Sequence, residues 1–269
     1  MKKKVLALVL AGLLVLSLCA CSAGSGDKEV YTVGICQLVQ HDALDAATQG
    51  FKDALEKTLP GQVEFDEQNA SNDIPMCTSI VNNFIAKDVD LILCNATPAL
   101  QAAAAATTEI PLLGTSVTEY GVALGLTDYN GTVGGNISGT SDLAPLDQQA
   151  AMVQELFPDA KTVGLLYCSA EPNSKYQVDV VKEELEKRGC TVSYFSFSDS
   201  NDLAAVTESA VAQSDVIYVP TDNTVAANAE IIDNIARPAG VPVIAGEEGI
   251  CSGCGVATLS ISYYDLGYK

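Results

Sequence analysis

Apolar runs and helical patterns alternate along almost the whole chain. Nine short runs read as strands: Tyr31–Cys36, Gln62–Asp66, Asp90–Cys94, Ile110–Thr115, Thr162–Tyr167, Thr191–Phe197, Asp215–Val219, Val241–Ala245 and Val256–Ile261. Most are continuous and β-branched rather than alternating, the pattern of strands buried on both faces of a parallel sheet. Between them lie seven stretches with helical patterning: Asp42–Thr58, Ile74–Lys87, Pro98–Thr107, Pro145–Phe157, Ser174–Arg188, Leu203–Gln213 and Thr224–Arg237. Strand and helix in strict alternation means βαβ units with right-handed crossovers. The predicted fold class is α/β with parallel sheets.

The pattern occurs twice. Val33-Gly34 finds its counterpart in Val163-Gly164, Asp90 in Asp215 and Pro111 in Pro242, at offsets of 130, 125 and 131. A nearly constant offset argues for two copies of one module, hence two Rossmann-like lobes with a cleft between them. Open α/β sheets bind ligands beyond the carboxyl ends of their strands, so the loops there are the place to search.

Those loops are polar where the preceding strands are apolar. They are Gln37–Asp42, Asn95–Pro98 and Ser116–Tyr120 in the first half, and Cys168–Ser174, Pro220–Thr224 and Gly246–Glu248 in the second. Thr97 precedes Pro98, a natural first helical residue. Asn173 or Ser174, and Asn223 or Thr224, can cap the helices that follow. Exposed N–H groups at a helix start attract a carboxylate, and an acid such as Asp222 or Glu247 can pair an ammonium. The set suits a zwitterion. His41, the sole histidine, reads as a surface residue of a loop or helix start.

Catalytic signatures are missing. No G-x-x-x-x-G-K-[ST] occurs, and Gly131–Asn136 does not fit G-x-G-x-x-G after a first strand, so it reads as a turn. No Ser-His-Asp set follows from spacing. No enzyme, cofactor or metal is expected. With 48% hydrophobic and 18% charged residues the chain is globular. A net charge of -20 repels phosphate backbones, so nucleic acid is not an expected partner. Cys36, Cys94 and Cys168 fit as small buried hydrophobes. Cys251-Ser-Gly-Cys254 lies in a Gly-rich turn and reads as a local disulfide or two free thiols, since a lone C-x-x-C with one histidine supports zinc weakly.

The N-terminus is set apart from the fold. Lys2, Lys3 and Lys4 precede an apolar stretch, Val5 to Leu18, and then Leu18-Cys19-Ala20-Cys21. This reads as a signal peptide over residues 1–20. The L-x-A-C ending resembles a bacterial lipobox, in which the cysteine, here Cys21, is lipidated and holds the protein to the membrane. Residues 21–29 would form the tether.

Several motifs together resemble one family. They are QLVQHDALDAATQGF, CNATPALQAA, the run Gly135–Leu143, YCSAEPNS, VPTDNTVA and the closing SYYDLG. The chain from Val30 onward is similar to the ABC-transporter substrate-binding family whose characterised members bind tryptophan or tyrosine. The resemblance implies the type I periplasmic binding protein fold. Lobe 1 would span residues 30–138, with 262–269 returning to it, and lobe 2 residues 139–261. Gly135–Leu143 and Ser260–Gly267 would be the crossings. Gln37, Thr97, Ser116 and Thr118 would contact ligand from lobe 1. Asn173, Ser174, Asp222, Asn223 and Glu247 would contact it from lobe 2. Asp222 would take the α-ammonium, and Thr97, Ser116 and Asn173 the carboxylate. Tyr120 and Tyr167 are candidates for an aromatic wall. Family members continue beyond SYYDLGY, so the stop at Lys269 reads as a C-terminal truncation that exposes apolar surface.

The function implied is an extracytoplasmic, lipid-anchored binding protein. It would capture a small amino-acid-like ligand and deliver it to an ABC permease. A sensor lipoprotein of the same fold, or an enzyme on the same scaffold, are the alternatives.

Overall fold

The computed structural model describes residues 30–269. The expected signal peptide, Cys21 and the tether lie outside the described residues. From Tyr31 to Lys269 the chain forms one compact unit. Its strands are β1 (Tyr31–Gln37), β2 (Val63–Asn69), β3 (Leu91–Asn95), β4 (Leu112–Val117), β5 (Ile137–Ser141), β6 (Thr162–Cys168), β7 (Thr191–Phe197), β8 (Val216–Val219), β9 (Val243–Ala245) and β10 (Ala257–Thr258). The main helices are α1 (Asp42–Thr58), α2 (Ile74–Ala86), α3 (Thr97–Ala106), α5 (Leu146–Leu156), α6 (Pro172–Lys187), α7 (Leu203–Val211) and α9 (Ala229–Ala239). Short ones are α4 (Tyr120–Leu124), α8 (Asn223–Ala226), α10 (Glu248–Cys254) and α11 (Tyr263–Tyr268).

The duplication is visible in the topology. One sheet runs β2-β1-β3-β4-β5; the other, read from the matching edge, runs β7-β6-β8-β9-β10. The pairings between these strands are parallel. Each sheet is covered on both faces because successive residues point to opposite sides. In the first half Val33, Ile35 and Leu93 meet Phe51 of α1. Cys36, Ile92 and Cys94 meet Phe84 and Leu100 of α2 and α3. In the second half Val163, Leu165 and Tyr218 meet Val153 and Val178 of α5 and α6. Leu166, Ile217 and Val219 meet Leu203 and Ile232 of α7 and α9. The repeated Val-Gly has a packing cause. A Cβ on Gly34 would sit 2.7 Å from the Phe84 ring, and one on Gly164 would sit 2.4 Å from Ser214 Oγ.

Four local readings are corrected. The stretch taken as the first crossing contains a strand, β5, which pairs with β4. The helix expected over Thr224–Arg237 is two helices, α8 and α9, because Asn228 leaves the helical region at φ -138°. Cys251 and Cys254 lie in helix α10 rather than a turn, and both are free thiols. The strand expected over Val256–Ile261 shortens to β10, which pairs only with Ile244 and Ala245.

Candidate functional site

The polar strand ends of the two halves face one another. A small cavity there is lined by His41, Ala43, Leu44, Ser116, Asp142, Asn173, Thr221, Asp222, Asn223, Ala226, Glu247 and Tyr263. The space between these atoms is about 280 Å³, of which about 10 Å³ admits the centre of a water molecule. That is room for roughly one water, so a larger solute enters only when the halves part.

Hydrogen bonds across the gap hold it shut. His41 Nε2 lies 3.2 Å from Asn223 Oδ1. Asn72 Nδ2 donates to Thr224 Oγ1 at 3.0 Å, and Gln177 Nε2 to Thr118 Oγ1 at 3.5 Å. His41 is therefore not the surface residue expected. It is partly buried in the cleft, and that burial holds its pKa below the ordinary imidazole value despite the nearby Asn223 and Glu171.

Five of the nine candidate ligand residues line the cavity: Ser116, Asn173, Asp222, Asn223 and Glu247. The other four stand behind it. Gln37 is engaged by Val39, Asp45 and Thr48. Ser174 is fully buried beside Asn173. Thr118 faces Gln177, and Thr97 is buried at the start of α3. Tyr120 and Tyr167 belong to the cores: the Tyr120 hydroxyl donates to Gly114 O and Thr140 O, and Tyr167 packs in the α5–α6 cluster. The aromatic residue on the cavity is Tyr263 instead. His41, Asp142, Thr221 and Tyr263 were missed. His41 and Thr221 sit in loops already singled out, whereas Asp142 and Tyr263 sit in segments read only as connections.

The second half presents its groups through helix starts. Asp222 caps α8: Oδ1 accepts Val225 N–H at 2.9 Å and Oδ2 accepts Cys168 N–H at 2.7 Å. Burial and the Glu171 carboxylate push its pKa up to about 8. Glu247 caps α10, accepting from Gly249 and Ile250 N–H, and burial raises it too. Behind the cleft, Glu171 Oε2 accepts from Asn223 N, Asn223 Nδ2 and Asn173 Nδ2. Its Oε1 accepts from Thr224 N and Oγ1. It fixes the start of α8 and the Asn173 amide together.

In the first half Ser116 adopts φ 55° just where the β4–β5 register shifts. A left-handed serine is uncommon and marks functional sites more often than chance allows. Its Oγ is buried without a partner, as are Asp142 Oδ1 and Asn173 Oδ1. Buried polar atoms are normally hydrogen-bonded. Among the described residues five such side-chain atoms lack partners, and three of the five belong to residues lining this cavity.

The lining holds three carboxylates (Asp142, Asp222, Glu247) and no lysine or arginine. Burying carboxylates without a cation is costly, so the site favours a ligand that brings positive charge. Its unpaired neutral groups, Ser116 and Asn173, can meet a polar group on the same ligand.

Two duplicated α/β halves closing over a polar cleft define a solute-binding protein of the type I periplasmic binding fold. The chain belongs to the ABC transporter substrate binding protein family, whose model matches residues 32–269. It is 38% identical to a tyrosine-binding protein of Clostridioides difficile, over 99% of this chain and 81% of that protein. It also resembles a Streptococcus pneumoniae ABC domain in complex with L-Trp, with TM-score 0.85 and 31% identity over 89% of this chain and 82% of that one. The ligand-free, open structure of a Clostridium difficile substrate-binding protein with adhesive properties is 42% identical over the same shares, yet its TM-score is 0.64. The halves here thus stand nearer to the arrangement of the ligand complex, in agreement with the closed cleft.

Proposed function

We propose that this protein captures a free amino acid, with tyrosine and tryptophan as first candidates, between its two halves and hands it to an ABC permease for import. One observation carries the reading: three buried carboxylates and no lysine or arginine line a cleft whose neutral Ser116 and Asn173 atoms lack partners. An α-ammonium and an α-carboxylate answer those two needs at once. The candidate contacts are Ser116 from lobe 1 and Asn173, Asp222, Asn223 and Glu247 from lobe 2. Gln37, Thr97, Thr118 and Ser174 shape the floor behind them. Lobe 1 runs through β5, residues 30–141, with 262–269 returning to it, and lobe 2 is 142–261, so the expected boundary at 138 moves past the end of that strand. Closure of the lobes is the signal of occupancy that the permease reads.

The protein works outside the cytoplasm, as substrate-binding proteins of ABC transporters do, held there by a lipidated Cys21. No described helix is long and apolar enough to cross a membrane. The site performs no chemistry on its ligand.

Titration of the full-length protein with each proteinogenic amino acid tests this. An aromatic amino acid is expected to raise thermal stability, by about 2.7 kcal/mol at 100 times its Kd. Absence of a shift with every amino acid would overturn the reading.

A further inference from the structure

Among the buried carboxylates around the cleft, one differs in how its oxygens are used. Both oxygens of Asp222 accept backbone N–H groups, and so do both of Glu247. Glu171 is saturated by Asn173, Asn223 and Thr224. Asp142 uses one oxygen only: Oδ2 accepts the Tyr263 hydroxyl at 2.9 Å, and Oδ1 has no partner. Burial holds the Asp142 pKa above the ordinary carboxylate value, although the Tyr263 and Thr118 hydroxyls oppose the shift, and no hydrogen bond reaches Oδ1. Asp142 is 4% exposed and lines the cavity, as does Tyr263. Among the described residues, Asp142 Oδ1 is the one buried carboxylate oxygen left open.

Its place in the chain adds a second consideration. Asp142 follows β5, the last strand of the first sheet, and precedes α5 of the second half. Tyr263 opens α11, which returns from the second half to pack on α1. The Asp142–Tyr263 hydrogen bond therefore joins the two segments by which the chain passes between the halves.

We propose that the ligand's ammonium is taken by Asp142 Oδ1, where both crossings meet, and that Asp222 instead sets the shape of the α8 start. The inference rests on the amino-acid reading of the cleft. An ammonium seated on Asp142 completes a chain of contacts from one crossing to the other, so occupancy is felt at the hinge. An ammonium on Asp222 would compete with two backbone donors for the same oxygens.

The test compares L-tyrosine and L-tryptophan with their deaminated forms, 3-(4-hydroxyphenyl)propanoate and indole-3-propanoate, by calorimetric titration of the full-length protein. The wild type is expected to prefer the amine-bearing ligand on the order of 100-fold, the worth of a charge-assisted hydrogen bond in a dry site. In Asp142→Asn that preference collapses to within a few-fold, whereas Asp222→Asn weakens both ligands alike and keeps the ratio. The proposal is overturned if Asp142→Asn keeps the ratio. It is also overturned if Asp222→Asn alone abolishes the ratio, and in that case the amino-acid reading survives. If the wild type binds none of the four ligands, the reading itself fails. Should Asp142→Asn not fold, Tyr263→Phe decides. A several-fold loss for the amine ligand alone supports the hinge site, and an equal loss for both ligands sinks it.

Discussion

Gly267 of α11 lies against the backbone of Ala47 in α1 so closely that a Cβ on it would stand 1.9 Å from the Ala47 carbonyl oxygen. The contact is reciprocal one turn away, where a Cβ on Gly50 would stand 2.1 Å from Tyr264 O. Two glycines thus let the backbones of α1 and α11 touch, and this seats Tyr263 at the cleft. Gly267→Ala or Gly50→Ala must push the helices apart. Overpacking of this kind costs about 1–3 kcal/mol. Urea unfolding is expected to show that loss in both variants, along with weaker ligand binding. Unchanged stability in both would mean that α11 is not held as described.

The His41–Asn223 contact is a latch between the halves rather than a ligand contact alone. His41→Ala removes one hydrogen bond worth about 0.5–1.5 kcal/mol. Ligand dissociation should quicken about 3- to 10-fold in stopped-flow measurements, with association little changed. The Asn223→Ala change should add less when made in the His41→Ala background than alone. Full additivity would show that the two residues act separately.

How much of this was legible beforehand follows from what each residue needed. The apolar runs announced the middle of both sheets, because central strands such as β3, β6 and β8 are covered on two faces and are almost wholly apolar, whereas the edge strands β2 and β7 carry exposed polar positions. The loops at their carboxyl ends pointed to Asn173, Asp222, Asn223 and Glu247, since polar residues at helix starts have local signatures; Ser116, within β4, carries no such signature and came with the family resemblance. Strand β5 escaped notice because Gly139, at φ 152°, and the small residues around it carry no apolar run. A Cβ at Gly139 would strike Gly114 O, so the glycine is set by a neighbouring strand that the local sequence does not reveal. Asp142 and Tyr263 are 121 residues apart in the chain, and nothing in either segment announces the other. Gln37 and Ser174 had the right type and position, but their side chains are engaged by neighbours whose approach depends on the tertiary fold.

Asp222 gives the closed protein a pH dependence of definite sign. Its folded pKa, pushed up to about 8, stands above the ordinary value of 3.8. Between those values the folded state keeps a proton that the unfolded chain has lost. Stability therefore falls as pH rises through this window, by at most about 1.4 kcal/mol per pH unit. Subtracting the pH profile of Asp222→Asn from that of the wild type should isolate this slope in thermal or urea unfolding. A difference that is flat from pH 4 to 8, or that rises with pH, would contradict the buried placement of the carboxylate.

Glu171 is the support on which the second half's side of the cleft depends. Its two oxygens accept five hydrogen bonds from Asn173, Asn223 and Thr224 at 2.7–3.1 Å. Four of these donors belong to the first two residues of α8, whose start carries Asp222 and Asn223 into the cavity. Glu171→Gln turns an oxygen into an amide that must face donors, leaving buried N–H groups without acceptors at about 1–3 kcal/mol each. A loss of about 3 kcal/mol in urea unfolding is expected, because the carboxylate serves two oxygens' worth of donors and no nearby cation replaces it. Residual folded protein should bind ligand more weakly even where it remains folded, since α8 would no longer be held in register with Asn173. A Glu171→Gln protein within about 0.5 kcal/mol of wild type, with unchanged affinity, would show that α8 needs no such clamp.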